Sequence, residues 1–390
     1  MDCSCTGFID SAHELFGGGA RVQLLPLLKK SSYLIRTKTK PTASVNSIPL
    51  EEATAGRLGW SGSLRYWLAS ARAWIFLIVL VVGFEVWAHF AYHTSFVLNP
   101  FNAQSIAVFA VGPLLLALGQ TFVVISGGID LSVGFTMGFA AVVFSKILNL
   151  TRDSLGESGS LIVAATVALA ASAIPGLING LLIARLRIPP FIGTLGMYGV
   201  ARGIAYLLAG GTTVPISNSI VSFVGNGTFL GIPMTVLITI VLTAGMMYLL
   251  SQSRFGQHTY AIGGNRQASL RAGINVSRNT VALYILSALT AGIGGILYSA
   301  RFSAGAAQAG EPLLLDSIAA VVIGGASLFG GSGTITGTII GALIIAIIQY
   351  GLVFVNVEPF WQFVAVGIVI IISVLVDQTQ KQLSGARLDE

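Results

Sequence analysis

The chain has 390 residues, 54% of them hydrophobic and only 9% charged, with 47 glycines and a net charge of +6. A soluble domain carries nearer 25% charge, so a mean hydropathy of +0.83 excludes an ordinary soluble enzyme and marks a polytopic membrane protein. The positive charge does not indicate nucleic acid, because it sits in the first 72 residues and in short loops, as the positive-inside rule expects.

Residues 1–72 hold nine of the 21 Lys/Arg and no apolar core of the kind a secretory signal needs. They are expected to form a mostly disordered cytoplasmic tail. Cys3 and Cys5 lie there, at a spacing that suits neither a zinc pair nor an easy disulfide. The end of the tail, 61–72, places Tyr66 and Trp67 beside Arg65 and Arg72, which suits a helix on the membrane surface.

Residues 73–377 read as the membrane domain. Stretches 86–129, 158–184, 203–253, 279–300, 317–357 and 359–376 contain no Asp, Glu, Lys or Arg. A span needs about 20 apolar residues, so the three longest stretches each hold two spans or a broken one. Span 1 is expected at 74–92, with Glu85 inside it, and span 2 at 103–125. Span 3 follows Asp130 to about 150, and 151–160 reads as an outer loop. Span 4 covers 161–184, Arg185 to Pro190 form an inner turn, and span 5, 191–208, contains Arg202. Span 6 is placed at 231–250. Residues 251–278, with four arginines, are the one sizeable inner loop. Span 7 is placed at 279–300 and an outer loop at 302–312. A short helix at 316–327, a break at 328–334 and spans at 335–355 and 360–376 complete the set. The expected fold is all-α, about ten spans with both termini in the cytoplasm and a short tail at 378–390. GxxxG pairs at Gly134/Gly138, Gly176/Gly180 and Gly337/Gly341 are candidate helix contacts.

The stretch 119–138, GQTFVVISGGIDLSVGFTMG, interrupts this pattern. Gly127 and Gly128 release the backbone from helix. Asp130 is then expected to cap a new helix, with Ser132 and Gly134 following. A broken helix survives in lipid only inside protein or beside a water path. Gly127, Gly128, Leu131 and Gly134 recur 197 residues later as Gly324, Gly325, Leu328 and Gly331, with Gly330 in the same second break. The expectation is two related halves, each with a helix broken near the midplane. Arg202, inside a span, must pair, snorkel or line water. Asp130, Glu85 or helix-end carbonyls are its candidate partners, and pairing and substrate contact both remain open.

No catalytic constellation emerges. The four histidines are scattered with no metal-ligand spacing, and 324–336 lacks the Gly-Lys-Ser/Thr ending of a phosphate loop. The chain therefore does not bind ATP by that route. In the inner loop, Gly263-Gly264-Asn265 can cap a short helix at 266–271, ended by Gly273. That helix would present Arg266, Gln267 and Ser269 to a cytosolic partner.

GGIDLSVG at 127–134 resembles the signature of permease subunits of ribose-type ABC importers, the bacterial monosaccharide family. GLINGLLIARLRIPPFIGTLGMYGVARGIAYLLAGG at 176–211, AIGGNRQASLRAGINVSR at 261–278 and AVVIGGASLFGGSGTITGTIIGALII at 320–345 match in the same order. The resemblance covers about 74–377 and not the first seventy residues. It implies a translocation pore in the bacterial inner membrane, with no cofactor of its own. It implies a separate cytosolic ATP-binding subunit, a periplasmic sugar-binding protein, and a second permease copy or paralogue. It also implies that 251–278 is the coupling loop, docking through Gly264, Asn265, Arg266, Ala268 and Gly273. Ala268 and Gly273 match the Ala and Gly of the family's loop, whereas Arg266 and Gln267 stand where acidic residues are usual. The wording favours a pentose, hexose or polyol. Alternatives are a branched-chain amino-acid or nucleoside permease of the same superfamily, or an ion-coupled carrier using Asp130, Glu85 and Arg202.

Overall fold

The computed structural model describes the backbone of residues 60–358 and 360–385, and the side chains of 73–358 and 360–375. Of the tail expected at 1–72, residues 1–59 lie outside the described residues. Twelve α-helices and two pairs of two-residue strands make up the regular structure of the described residues.

Helix α1 (Trp60–Tyr92) runs unbroken, so 61–72 continue span 1 and do not form a separate surface helix. Helix α2 (Pro100–Ile125) starts where Asn99 caps Phe101 N–H at 3.0 Å. Proline suits such a start because its missing donor is one the helix would leave unpaired anyway. Helix α3 (Val133–Ala184) is 52 residues long and broken at Gly156, whose φ of 67° is left-handed. Its arms fold back on each other, since Asn179 near one end donates to Ser132 at the other at 2.8 Å. The outer loop expected at 151–160 is therefore a hairpin turned at one glycine.

Helices α4 (Pro190–Ala209), α5 (Ser219–Asn226) and α6 (Met234–Gln252) follow. Two short helices, α7 (Arg254–Gly264) and α8 (Arg266–Arg271), form the inner loop. The long α9 (Val276–Phe302) comes next, then α10 (Glu311–Ile323), α11 (Ile335–Phe354) and α12 (Phe360–Gly385). α12 continues to Gly385, into the stretch expected as a tail at 378–390. Among the described residues, seven helices are long and apolar enough to cross a membrane: α1, α2, the folded α3, α4, α6, α9 and α11.

The most apolar stretch of α2 is 78% buried and that of α1 only 11%. α2 is thus the inner post, and α1 lies at the edge. The three GxxxG pairs all sit in contacts. A Cβ on Gly138 would come within 1.8 Å of Ala307 O, one on Gly341 within 1.9 Å of Ala320 O, and one on Gly176 within 2.5 Å of Tyr284 O. Missing side chains let these backbones approach, which is how helices pack where lipid supplies no hydrophobic drive.

The segment expected as an outer loop at 302–312 is largely interior. Ala306, Ala307 and Ala309 are buried. A Cβ on Gly305 would strike Ala141 O at 2.3 Å, and one on Gly310 would strike Gly134 O at 2.4 Å. Its glycines and alanines let it lie flat along the first arm of α3 and deliver α10 inside the protein.

Candidate functional site: two helix breaks and an inner loop

Helix α2 ends on Val123-Val124-Ile125. Gly127, at φ 81°, turns the chain, and the N–H groups of Gly127 and Gly128 return to Val124 O and Val123 O at 2.9 Å each. Paired bonds of this kind satisfy the last carbonyls of a helix and favour glycine at the left-handed residue. Residues 129–131 leave the helix, and α3 starts at Val133. Val133 shares a buried cluster with Leu116, Met137, Ala291 and Leu314. The chain has therefore climbed back beside Leu116, about 13 Å above the end of α2 at 1.5 Å per residue. α2 itself is unbroken, and it is α3 that begins in the interior.

Asp130 is 1% exposed. Its Oδ1 accepts from Ser132 N–H at 3.0 Å and from Ser132 Oγ at 2.7 Å, and its Oδ2 accepts from Ser287 Oγ of α9 at 2.9 Å. The Asn179 bond to Ser132 and a 3.3 Å bond from the Tyr284 hydroxyl to Ile129 O complete the knot. The expected cap is corrected here. Ser132 is the residue before α3 and makes no side-chain cap bond. Asp130 stands two residues earlier, where the carboxylate meets Ser132 and α9 and not the first turn. It ties the start of α3 to α9, and through Ser132 and Asn179 the second arm of α3 joins them.

The second break repeats the first with a changed register. Helix α10 ends on Val321-Val322-Ile323. Gly325, at φ 90°, takes the left-handed position, with Gly325 N–H on Val322 O at 2.9 Å and Ala326 N–H on Val321 O at 3.1 Å. The equivalent of Gly127 is thus Gly325 and not Gly324, an offset of 198 residues that follows the Val-Val-Ile triplets and not the glycine pairs. Gly324 is still helical in backbone and lies against α11, where a Cβ would meet Gly337 O at 2.3 Å. α10 also starts at Glu311, five residues before the expected 316. Its 13 residues rise about 20 Å, too little to cross a core of about 30 Å.

The breaks meet. Gly331 N–H donates to Ile125 O at 2.8 Å. Gln120 of α2 donates to Ser317 of α10 at 3.0 Å, and Thr121 bonds Thr338 of α11 at 2.7 Å. The inner loop closes on the same point. A Cβ on Gly263 would lie 1.8 Å from Ile125 O and 2.6 Å from Gly331 N, and the Tyr260 hydroxyl donates to Gly333 O at 2.6 Å. The tip of α7 is wedged under both breaks at once. Beyond it, Asn265 caps α8 through Ala268 N–H at 2.9 Å, and Gly273, at φ 81°, ends it. Arg266, Gln267, Ala268 and Leu270 are exposed. Ser269 is not: it is 4% exposed, with its hydroxyl on Asn265 O at 2.9 Å. Leu270 takes its place on the outward face, because a six-residue helix lying on the protein must turn one side inward. Gly264 touches no neighbour that a Cβ would meet.

Arg202 is elsewhere. It pairs with neither Asp130, held by hydroxyls, nor Glu85, whose Oε2 accepts from Phe96 and Val97 N–H at 2.9 Å each. Its guanidinium lies over the Phe135 ring at 5.3 Å. Tyr198, one turn earlier on α4, packs edge-on to the same ring with centroids 4.7 Å apart. The Tyr198 hydroxyl is close enough to both Arg202 and Glu311 to interact with each. Sequence reasoning missed Tyr198 and Glu311. The spacing of Tyr198 four residues before Arg202 was a signal for the first, and an acidic residue followed by proline, as at a helix start, was one for the second. No group of three or more potential metal ligands occurs among the described residues.

Over residues 102–374 the chain matches the family model described as the permease component of the branched-chain amino acid transport system. It is 34% identical over 319 residues to a ribose import permease of Escherichia coli K12, covering 81% of this chain and 95% of that protein. Identity to the ribose import permease of Bacillus subtilis is 36% over 306 residues, covering 78% and 90%. For a fructose import permease of Rhizobium meliloti it is 33% over 326 residues, covering 81% and 88%.

Proposed function

The chain belongs to the family of branched-chain amino acid transport system permease components, and from that premise we propose that it is the membrane subunit of an ATP-driven importer for a sugar. The family description alone leaves amino acids and sugars open. The relatives that match over about three quarters or more of the chain are named for ribose, fructose, L-arabinose and galactose, which favours a pentose or hexose. With the two arms of α3, the half-helix α10 and α12 counted, ten elements lie in the membrane and both termini are cytoplasmic. Two copies, or this chain and a paralogue, sit on two ATP-binding subunits and receive sugar from an external binding protein.

The observation that carries this reading is the wedge of α7 under both breaks. An ATP-binding subunit that seats on the outward face of α8 moves α7. Gly263 and Tyr260 then pass that movement to the ends of α2 and α10, where Gly127 and Gly325 allow the chain to bend. Energy entering through this loop has a physical route to the membrane interior. In an ion-coupled carrier the loop would be a plain connector.

The test co-expresses the tagged chain with the ATP-binding subunit and the sugar-binding protein of its system. Ala268→Asp places a charge on the exposed face of α8 without touching a span. It is expected to insert normally, lose co-purification with the ATP-binding subunit and lose uptake. If the unmodified chain recovers no ATP-binding subunit and its uptake follows an ion gradient, the reading is wrong.

A further inference from the structure

Arg202 is the thirteenth residue of the twenty in α4 and is exposed on the protein surface. A cation at that depth is stable only when it faces a partner or water. Among the described residues the one ion pair within 4 Å is Arg152–Glu157, so no carboxylate neutralises Arg202 directly. Glu311, half-buried at the start of α10, is the acid nearby, and the Tyr198 hydroxyl is close enough to interact with each. Phe135, fully buried, forms the floor under both Tyr198 and Arg202. The Tyr198 hydroxyl can bond either charge, and the exposed guanidinium, with five N–H donors, has more of them than one hydroxyl can use.

We propose that Arg202, Tyr198 and Glu311 form a sugar-contacting subsite on the translocation path, with the Tyr198 ring as its apolar wall and buried Phe135 as the support beneath it. The proposal rests on the sugar-importer reading and adds the residues that touch the cargo. A neutral polyol presents neighbouring hydroxyls, each both donor and acceptor, and an apolar C–H face. The planar guanidinium donates to two adjacent oxygens at once. The carboxylate accepts from a hydroxyl, and the phenol can do either. The cation and anion balance, so the site asks for no charge on the ligand. Its exposure makes it a passing contact and not a trap, which suits a path from which sugar must leave.

The experiment uses the complete transporter, permease with ATP-binding subunit and binding protein, in proteoliposomes. It measures radiolabelled sugar delivered per ATP hydrolysed, using whichever of ribose, fructose, arabinose and galactose the parent carries best. Tyr198→Phe keeps the ring on Phe135 and removes the hydroxyl, and Glu311→Gln keeps the shape. Each is expected to lower sugar delivered per ATP about tenfold, the scale of one lost bond to a charged group. Arg202→Lys should fall as far as Arg202→Gln, because the fork and not the charge grips adjacent hydroxyls. A merely structural role lowers import and hydrolysis together and leaves their ratio unchanged, and that result overturns the subsite. Full rescue by Arg202→Lys overturns it as well, in favour of a charge role. A parent that imports none of the four sugars defeats the importer reading itself.

Discussion

At Gly263 one methyl group decides whether three pieces of backbone fit. An added Cβ would meet Ile125 O at 1.8 Å and Gly331 N at 2.6 Å, both main-chain atoms that cannot rotate away. Gly263→Ala is therefore expected to destabilise by about 1–3 kcal/mol or more. Gly264→Ala, next to it and with nothing within 4 Å, should leave stability unchanged. Thermal melting of the purified protein in detergent checks both, and equal melting points would remove the wedge. Asp130 gives a second contrast. Asn can still accept from Ser132, and Ser287 can turn its hydroxyl to donate or accept. Ala leaves the Ser132 N–H and two hydroxyls without their partner. Asp130→Ala should cost about 1–3 kcal/mol and Asp130→Asn clearly less, measured in the same melts. The sequence marks Asp130 because it follows Gly-Gly. It is silent on Ser287 and Asn179, which lie 157 and 47 residues from the groups they bond. Hydroxyls and amides on apolar helices carry no local signature of what they face.

Elements were legible where composition changes sharply and illegible where the chain stays apolar through a turn. Asn99, Asn265 and Thr334 mark their helix starts by caps that local chemistry dictates. The hairpin in α3 turns on Gly156 alone, and charged neighbours made it resemble a loop. Residues 302–312 looked like an outer loop because they are rich in glycine and alanine. Their smallness is what lets them pack inside. The glycine pairs suggested an offset of 197, whereas hydrogen bonding sets 198, because helix ends are fixed by carbonyl partners and not by residue identity. One element-level prediction concerns the bond from Tyr260 on α7 to the second break. Tyr260→Phe keeps the ring and removes a 2.6 Å hydrogen bond to Gly333 O, a loss of about 1 kcal/mol. Because Gly331 N–H is bonded to Ile125 O, amide exchange over 324–334 should accelerate and that over 126–132 should follow it. Unchanged exchange over 324–334 would mean that α7 does not hold the second break by this bond.

Across the whole molecule, the hairpin turn in α3 and the end of α6 belong to opposite ends of the bundle. Ser158 and Ser251 are both exposed there. In a chain with Cys3 and Cys5 replaced by serine, single cysteines at these positions should label from opposite sides of sealed vesicles, Ser158→Cys from outside. Same-side labelling would overturn the proposed topology.

The junction at Gly263 also has a kinetic consequence. Ile125 O accepts the Gly331 amide, and Gly263 fills the remaining space between them, so neither helix end has a private neighbour to lean on while the other shifts. Partial rearrangement would leave the carbonyl of fully buried Ile125 without its partner, at a cost of about 1–3 kcal/mol. States with one end released and the other held are therefore thinly populated. Distance recordings on single molecules, with dyes reporting the two breaks separately, should show two levels and synchronous jumps, with no dwell on an intermediate plateau.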